Sequence, residues 1–213
     1  MKYTEIAWDF DGCLYDSYDH IISCVRSAVG RFGYSATAEE IFPYVRVSVP
    51  HAFRHFAPLC GCKPENLGYW YRQAGAQETS DLVRPYDGIP ELLRDIAASG
   101  RRNHICSNRR ISSSAAYLER DGLLPYFDVI AGPDMEGGIP AKPQPDLVIR
   151  ILKEHGTEPC RLLMIGDREL DLLAGHGAGS DACFFDPDRY CTVIYDAEFR
   201  TCDVDELRRF ILG

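Results

Sequence analysis

The sequence predicts an α/β fold: a doubly wound parallel sheet interrupted by an all-helical insert. Two observations predict it. From residue 85 onward, short apolar runs alternate with segments of helical period, which implies strand–helix–strand units. Between residues 17 and 84 the pattern is helical throughout, and one apolar run at 4–10 stands before it. The simplest organisation is a core of residues 1–15 and 85–213 carrying a helical insert of residues 16–84.

Each element has its own warrant. TEIAWDF (4–10) is a buried strand. In SYDHIISCVRSAVGRF the apolar residues Ile21, Ile22, Val25, Val29 and Phe32 follow a helical period, and Gly33 ends the helix. TAEEIFPYV opens with Thr37 as its cap and an acidic first turn, then meets Pro43. SVPHAFRHFAP and PENLGYWYRQAGAQETSDLV read as two further helices, with Tyr69, Trp70 and Tyr71 as cap core. PYDGIPELLRDIAASG is a helix stopped at Gly100. RRNHICS is a strand, SSSAAYLERDG a helix capped by one of its serines, and DVIAG (128–132) a strand. KPQPDLVIRILKEHG is a helix with prolines at its start, where a missing N–H costs little. RLLMIGD and DACFFD are strands, ELDLLAGHGAG and DVDELRRFIL helices.

Composition narrows the function. The chain has 213 residues, an apolar fraction of 46% and a net charge of −9, without a basic block. Nucleic acid and anionic membrane surfaces are poor partners for it. With no run of about 18 apolar residues and no signal-like start, the expectation is a cytoplasmic protein. The 9 cysteines are irregularly spaced with no CxxC, so they read as reduced thiols.

In open parallel sheets, ligands bind beyond the carboxyl ends of the strands. Asp9 and Asp11 end the first strand, Ser107, Asn108 and Arg109 the second, and Gly166 and Asp167 the fourth; Lys142 heads the helix after the third. Two carboxylates a few Å apart repel unless a cation lies between them or one is protonated. Asp167 and Asp171, spaced i,i+4, add two more. Four carboxylates without histidine or thiolate among them suggest a hard, oxygen-liking cation, Mg²⁺ before Zn²⁺.

Asp9-Phe10-Asp11-Gly12, Ser107-Asn108, Lys142-Pro143 and Gly166-Asp167-x-x-x-Asp171 resemble, in order and on the right elements, the four motifs of the haloacid dehalogenase-like hydrolase superfamily. The chain looks like its phosphoglycolate phosphatase-like branch, which has a Rossmann-like core and a helical cap inserted after the first motif. The resemblance implies a Mg²⁺-dependent phosphomonoesterase acting on a small phosphorylated metabolite through an aspartyl-phosphate. Asp9 would be the nucleophile and Asp11 the general acid and base. Mg²⁺ would be held by the Asp9 carboxylate, the Asp11 carbonyl and Asp167, with Asp171 as an outer ligand. Gly12, Ser107, Asn108 and Lys142 would bind the phosphoryl group. A sugar phosphomutase and a catalytically silent binding module are the alternatives on the same scaffold. Asp11 argues against haloacid dehalogenation.

Cys13 stands where the family commonly has threonine and reads as a small passive substitute. Arg46, in the cap loop 44–51, could contact an anionic substrate or simply lie exposed. His51 and His55 have metal-ligand spacing but no evident third ligand, and read as cap-surface histidines. Gly175, Gly177 and Gly179 follow a helix rather than open one, so they are no dinucleotide fingerprint; two serve close packing and Gly179 ends the helix.

Overall fold

The computed structural model describes residues 2–75, 79–190 and 196–213. It divides into two compact units, Met1–Asp16 with Pro85–Gly213, and Ser17–Arg84. In chain order the elements are β1 (Glu5–Trp8), β2 (Tyr15–Asp16), α1 (Tyr18–Gly30), α2 (Ala38–Val47), α3 (Val49–Leu59) and α4 (Pro64–Ala74). There follow β3 (Arg84–Pro85), α5 (Ile89–Ala98), β4 (Arg102–Cys106), α6 (Ile111–Arg120), β5 (Phe127–Ala131) and α7 (Asp146–His155). The chain closes with β6 (Leu162–Gly166), α8 (Glu169–Gly177), β7 (Asp181–Phe185), β8 (Phe199–Thr201) and α9 (Val204–Leu212).

The first unit is built on a 6-stranded sheet in the order β5-β4-β1-β6-β7-β8, with every pairing parallel. This is the doubly wound Rossmann-like order. From β1 the chain works outward through β4 and β5, then crosses back to β6 on β1's other side. A crevice therefore opens beyond the carboxyl ends of β1 and β6. Both faces are buried at β1, β6 and β7, so these strands read as largely apolar runs. Ala7, Cys106, Leu162 and Met164 pack against Leu147, Val148 and Ile151 of α7 and Ala174 of α8. Residues of the other parity, Ile6, Trp8, Ile105, Leu163 and Ile165, are equally buried and point to the opposite face. There Asn103 accepts from the Trp8 indole N–H at 3.0 Å and donates to Leu93 O of α5 at 3.3 Å.

The second unit is helical. Thr37 caps α2 in a reciprocal pair with Glu40, and Ser48 caps α3 by accepting from His51 N–H at 3.1 Å. α2 runs on through Pro43 to Val47. Its core gathers Ile21, Ile22, Val25 and Val29 of α1 with Ile41, Val45, Phe56 and Leu67. Trp70 and Tyr71 pack against that core, but Tyr69 is 50% exposed, because its position on α4 turns outward. The His51 and His55 rings both stack on Tyr44, and neither belongs to a group of potential metal ligands among the described residues. The stretch 76–78 of the expected helix over 64–83 lies outside the described residues.

Two expectations need correction. No serine caps α6: Arg110 holds the cap position, and Asp134 Oδ1, from a distant loop, accepts from Ile111 N–H at 3.1 Å. Lys142 does not head a helix; it lies in the loop before α7, which starts at Asp146. The described cysteines are thiols, and Cys191 lies outside the described residues. No helix among the described residues is long and apolar enough to cross a membrane.

The amino end of the sheet hides a polar network. Glu5 is fully buried. Its Oε2 accepts from Arg102 Nε at 2.9 Å and lies 2.9 Å from His104 Nε2; its Oε1 accepts from Arg102 Nη2 and, at 3.1 Å, from Thr157 Oγ1. The His155 ring lies 4.9 Å from that of His104. Burial would raise the Glu5 carboxyl, but His104 and Arg102 hold it well below the usual carboxylate range. Burial lowers the His104 pKa despite the Glu5 charge. Both shifts make the unfolded chain the better proton binder in acid. Stability therefore falls as pH drops below about 6.5, where the unfolded histidine charges, and again below about 4.3 as unfolded glutamate protonates. Thermal melts between pH 7.5 and 5.5 should show Tm declining, by about 2–4 °C per kcal/mol lost. His104→Gln should flatten that limb; a limb of unchanged slope would place its origin elsewhere.

Candidate active site

Asp9 is the first residue beyond β1, yet its N–H still donates to Ile165 O at 2.8 Å, so β6 fixes its height at the sheet edge. Asp167 follows β6 directly, and Asp171 sits in the first turn of α8, where its Oδ2 accepts from Arg168 N–H at 3.1 Å. All three acids are fully buried, and one oxygen from each lies within 4.8 Å of the others. Asp11 is not in that cluster by its side chain. The chain has left the strand by then: Gly12 takes φ +79° and donates its N–H to Tyr15 O at 2.8 Å. Phe10 between them is buried and stacks on Tyr15 with ring centroids 4.3 Å apart.

Lys142 is the centre of charge balance. Its Nζ donates to Cys106 O at 2.6 Å and lies 2.9 Å from Asp9 Oδ1 and 2.5 Å from Asp171 Oδ1. The Asn108 amide brings it there: Asn108 Oδ1 accepts from Lys142 N–H at 2.8 Å, and Asn108 Nδ2 donates to Lys142 O at 2.9 Å. Ser107, buried at the end of β4, accepts from Arg109 N–H at 3.3 Å. The Cys13 thiol is buried, donates weakly to Ile165 O at 3.7 Å, and is pushed well up by burial and by Asp9. It is no thiolate.

Two arginines complete the site. Arg168 Nη2 donates to Asp9 Oδ2 at 2.8 Å, and its Nε lies 3.5 Å from Asp167 Oδ1. Arg109 Nη1 donates to Asp11 Oδ1 at 2.7 Å, while its guanidinium lies 5.0 Å from the Phe10 and Tyr117 ring centroids. The sequence singles out neither Arg168 nor, beyond its place at a strand end, Arg109. The available signal was electrostatic: a motif with four acids and one lysine needs further positive charge nearby. Arg46, in the last turn of α2, donates to Tyr18 OH at 3.1 Å and lies over its ring within the helical unit.

Burial would raise Asp9, but Lys142 and Arg168 hold it well below the usual range. Burial and the neighbouring Asp9 charge push Asp171 up instead. Burial opposes the Lys142 ammonium, yet Asp171 and Asp9 keep it charged. The cluster thus pairs three acids with an ammonium and a guanidinium, and the remaining negative charge suits a divalent cation. An all-oxygen donor set fits a hard one. The other group of potential ligands, Glu5, His104 and His155, fits a hard cation poorly, because two of its three members are imidazoles.

Glycines set the packing under these groups. A Cβ at Gly166 would stand 2.3 Å from Asp171 Cβ and 2.4 Å from its Cγ. Gly166→Ala should push Asp171 off Lys142 and lower kcat/KM by about 10²-fold; activity within about twofold of wild type would show that Asp171 tolerates the shift. A Cβ at Gly175 would stand 2.9 Å from Met164 Cβ, and Gly179 takes φ +78° after α8.

A doubly wound parallel sheet with buried acids at its switch point, held by a lysine from a third loop, defines a class of α/β hydrolases. The family model for haloacid dehalogenase-like hydrolases matches residues 6–185, and the chain belongs to that family. It is 27% identical over 179 residues to the pyrophosphatase PpaX of Listeria innocua, covering 83% of this chain and 80% of that one. A predicted phosphoglycolate phosphatase from Haemophilus somnus superposes with a TM-score of 0.84 at 18% identity, covering 99% of this chain and 98% of that one. A haloacid dehalogenase-superfamily hydrolase of subfamily IA from Geobacter sulfurreducens gives a TM-score of 0.72 at 20% identity, covering 99% and 97%.

Proposed function

We propose that this phosphatase hydrolyses a small, soluble phosphate monoester in two steps through a phosphorylated Asp9. The observation that carries this reading is the meeting of Asp9, Asp167 and Asp171 at the β1–β6 crevice, with the Lys142 ammonium on Asp9 and Asp171. In the first step an Asp9 oxygen attacks phosphorus. The ester P–O bond breaks, and the leaving oxygen takes a proton from Asp11. In the second, water attacks the phosphoryl group and gives its proton to Asp11; the phosphate leaves and the Asp9 carboxylate is restored. Phe10 N–H and Lys142 fix Asp9 Oδ1, which orients the nucleophile. Arg109 fixes Asp11 by its Oδ1. Lys142 and Ser107 are placed to offset phosphoryl charge. Asn108 serves by positioning Lys142, since both ends of its amide are engaged there. Asp9, Asp167, Asp171 and the Asp11 carbonyl would hold Mg²⁺, which when bound lets an anionic nucleophile approach an anionic phosphate. We assign Arg46 to recognition of the substrate's anionic part, which Arg46→Ala should register as a raised KM with kcat retained.

The test is phosphate release from p-nitrophenyl phosphate and a panel of phosphorylated metabolites, inorganic pyrophosphate included because relatives carry that name. Release should require Mg²⁺ and stop on chelation. Undiminished turnover in a chelator would end the metal reading. Label passing from one sugar hydroxyl to another, without release to water, would point to a mutase.

A further inference from the structure

Arg168 holds the oxygens that a cation would need. Asp9 has two of them: Oδ1 takes the Phe10 N–H at 2.8 Å and Lys142, and Oδ2 takes Arg168. The same guanidinium lies 3.5 Å from Oδ1 of its own neighbour, Asp167. It therefore bridges the acids at the ends of β1 and β6, which are two of the three members of the oxygen cluster. A guanidinium and a divalent ion cannot share these oxygens without like charges in contact. The backbone of Arg168 is pinned at the start of α8 by its N–H bond to Asp171, while its guanidinium sits at the end of a long side chain with several rotatable bonds. Its side chain is 14% exposed, so part of it already touches solvent.

We propose that Arg168 is a tethered counter-ion: its guanidinium occupies the cation site while the cation is absent, and must leave Asp9 and Asp167 when the cation enters. This rests on the reading that these acids hold a divalent ion. Arg168 is then a positioning residue with two effects. It keeps the buried acids of the metal-free protein neutralised, and it lowers cation affinity by the fraction of molecules in which it sits on the acids.

Calorimetric titration of Mg²⁺ into the wild type, Arg168→Gln and Arg109→Gln tests this. Arg168→Gln should bind Mg²⁺ about tenfold more tightly, the gain expected if a tenth of wild-type molecules are open, and its metal-free Tm should fall. Arg109→Gln removes a charge from the same crevice but from other oxygens, and should change affinity far less. Equal or weaker binding by Arg168→Gln, or an equal gain in Arg109→Gln, would overturn the proposal. A wild-type readout guards against a variant that fails to fold: the ¹⁵N–¹H signal of Arg168 Nε should shift, and exchange faster with water, on saturation with Mg²⁺. An unchanged signal at saturation overturns the proposal and leaves the cation site standing. No Mg²⁺ binding by any of the proteins overturns both.

Discussion

Asp9→Asn should lower kcat/KM for p-nitrophenyl phosphate by about 10³-fold or more. The substitution keeps the shape of the side chain, and the Asn oxygen can still accept from Phe10 N–H and from Lys142, as Asp9 Oδ1 does. What it removes is the charge that makes an oxygen nucleophilic. The amide nitrogen would also face the Arg168 guanidinium, donor against donor. Circular dichroism should therefore show a folded protein with a modestly lower Tm and almost no turnover. Acid-quenched wild type should carry hydroxylamine-labile ³²P, and the variant none. Retention of a tenth of wild-type activity would mean that some other group attacks phosphorus.

Lys142→Met should cost about 3–5 kcal/mol of stability, the usual penalty for stripping one partner from a buried ion pair. Lys142 is 3% exposed, and Asp9, Asp171 and the Cys106 carbonyl all converge on its ammonium. Methionine fills the space but leaves two carboxylates side by side in a dry site. Activity should fall by about 10²–10³-fold even where the protein is folded, if Lys142 offsets phosphoryl charge as proposed. Denaturant unfolding and kcat on the same sample separate the two losses. A variant of wild-type stability would show that water reaches the acids and solvates them.

Much of this fold was legible because burial on both faces writes β1, β6 and β7 as largely apolar runs. β8 was not legible: its residues Phe199, Arg200 and Thr201 carry no run, and only their register against Cys183, Phe184 and Phe185 makes them a strand. The same limit hid the cap of α6, whose acceptor, Asp134, lies 23 residues from Ile111. At the site the acids and Lys142 stood out because like charges at strand ends demand a reason. Arg168 did not, since an arginine beside an aspartate reads as surface until the chain folds it onto Asp9. Glu5 was lost inside TEIAWDF for the opposite reason: nothing local reveals that Arg102, His104 and Thr157 will surround it.

The reciprocal amide pairing between Asn108 and Lys142 uses only the main-chain N–H and C=O of residue 142. It reads the path of that loop and ignores its side chains. Loops of foreign sequence could thus be grafted between β5 and α7, and would seat their lysine correctly provided the backbone follows the same course and the recipient keeps asparagine at 108. Chimeras made this way would inherit the donor's surface while retaining the host's chemistry.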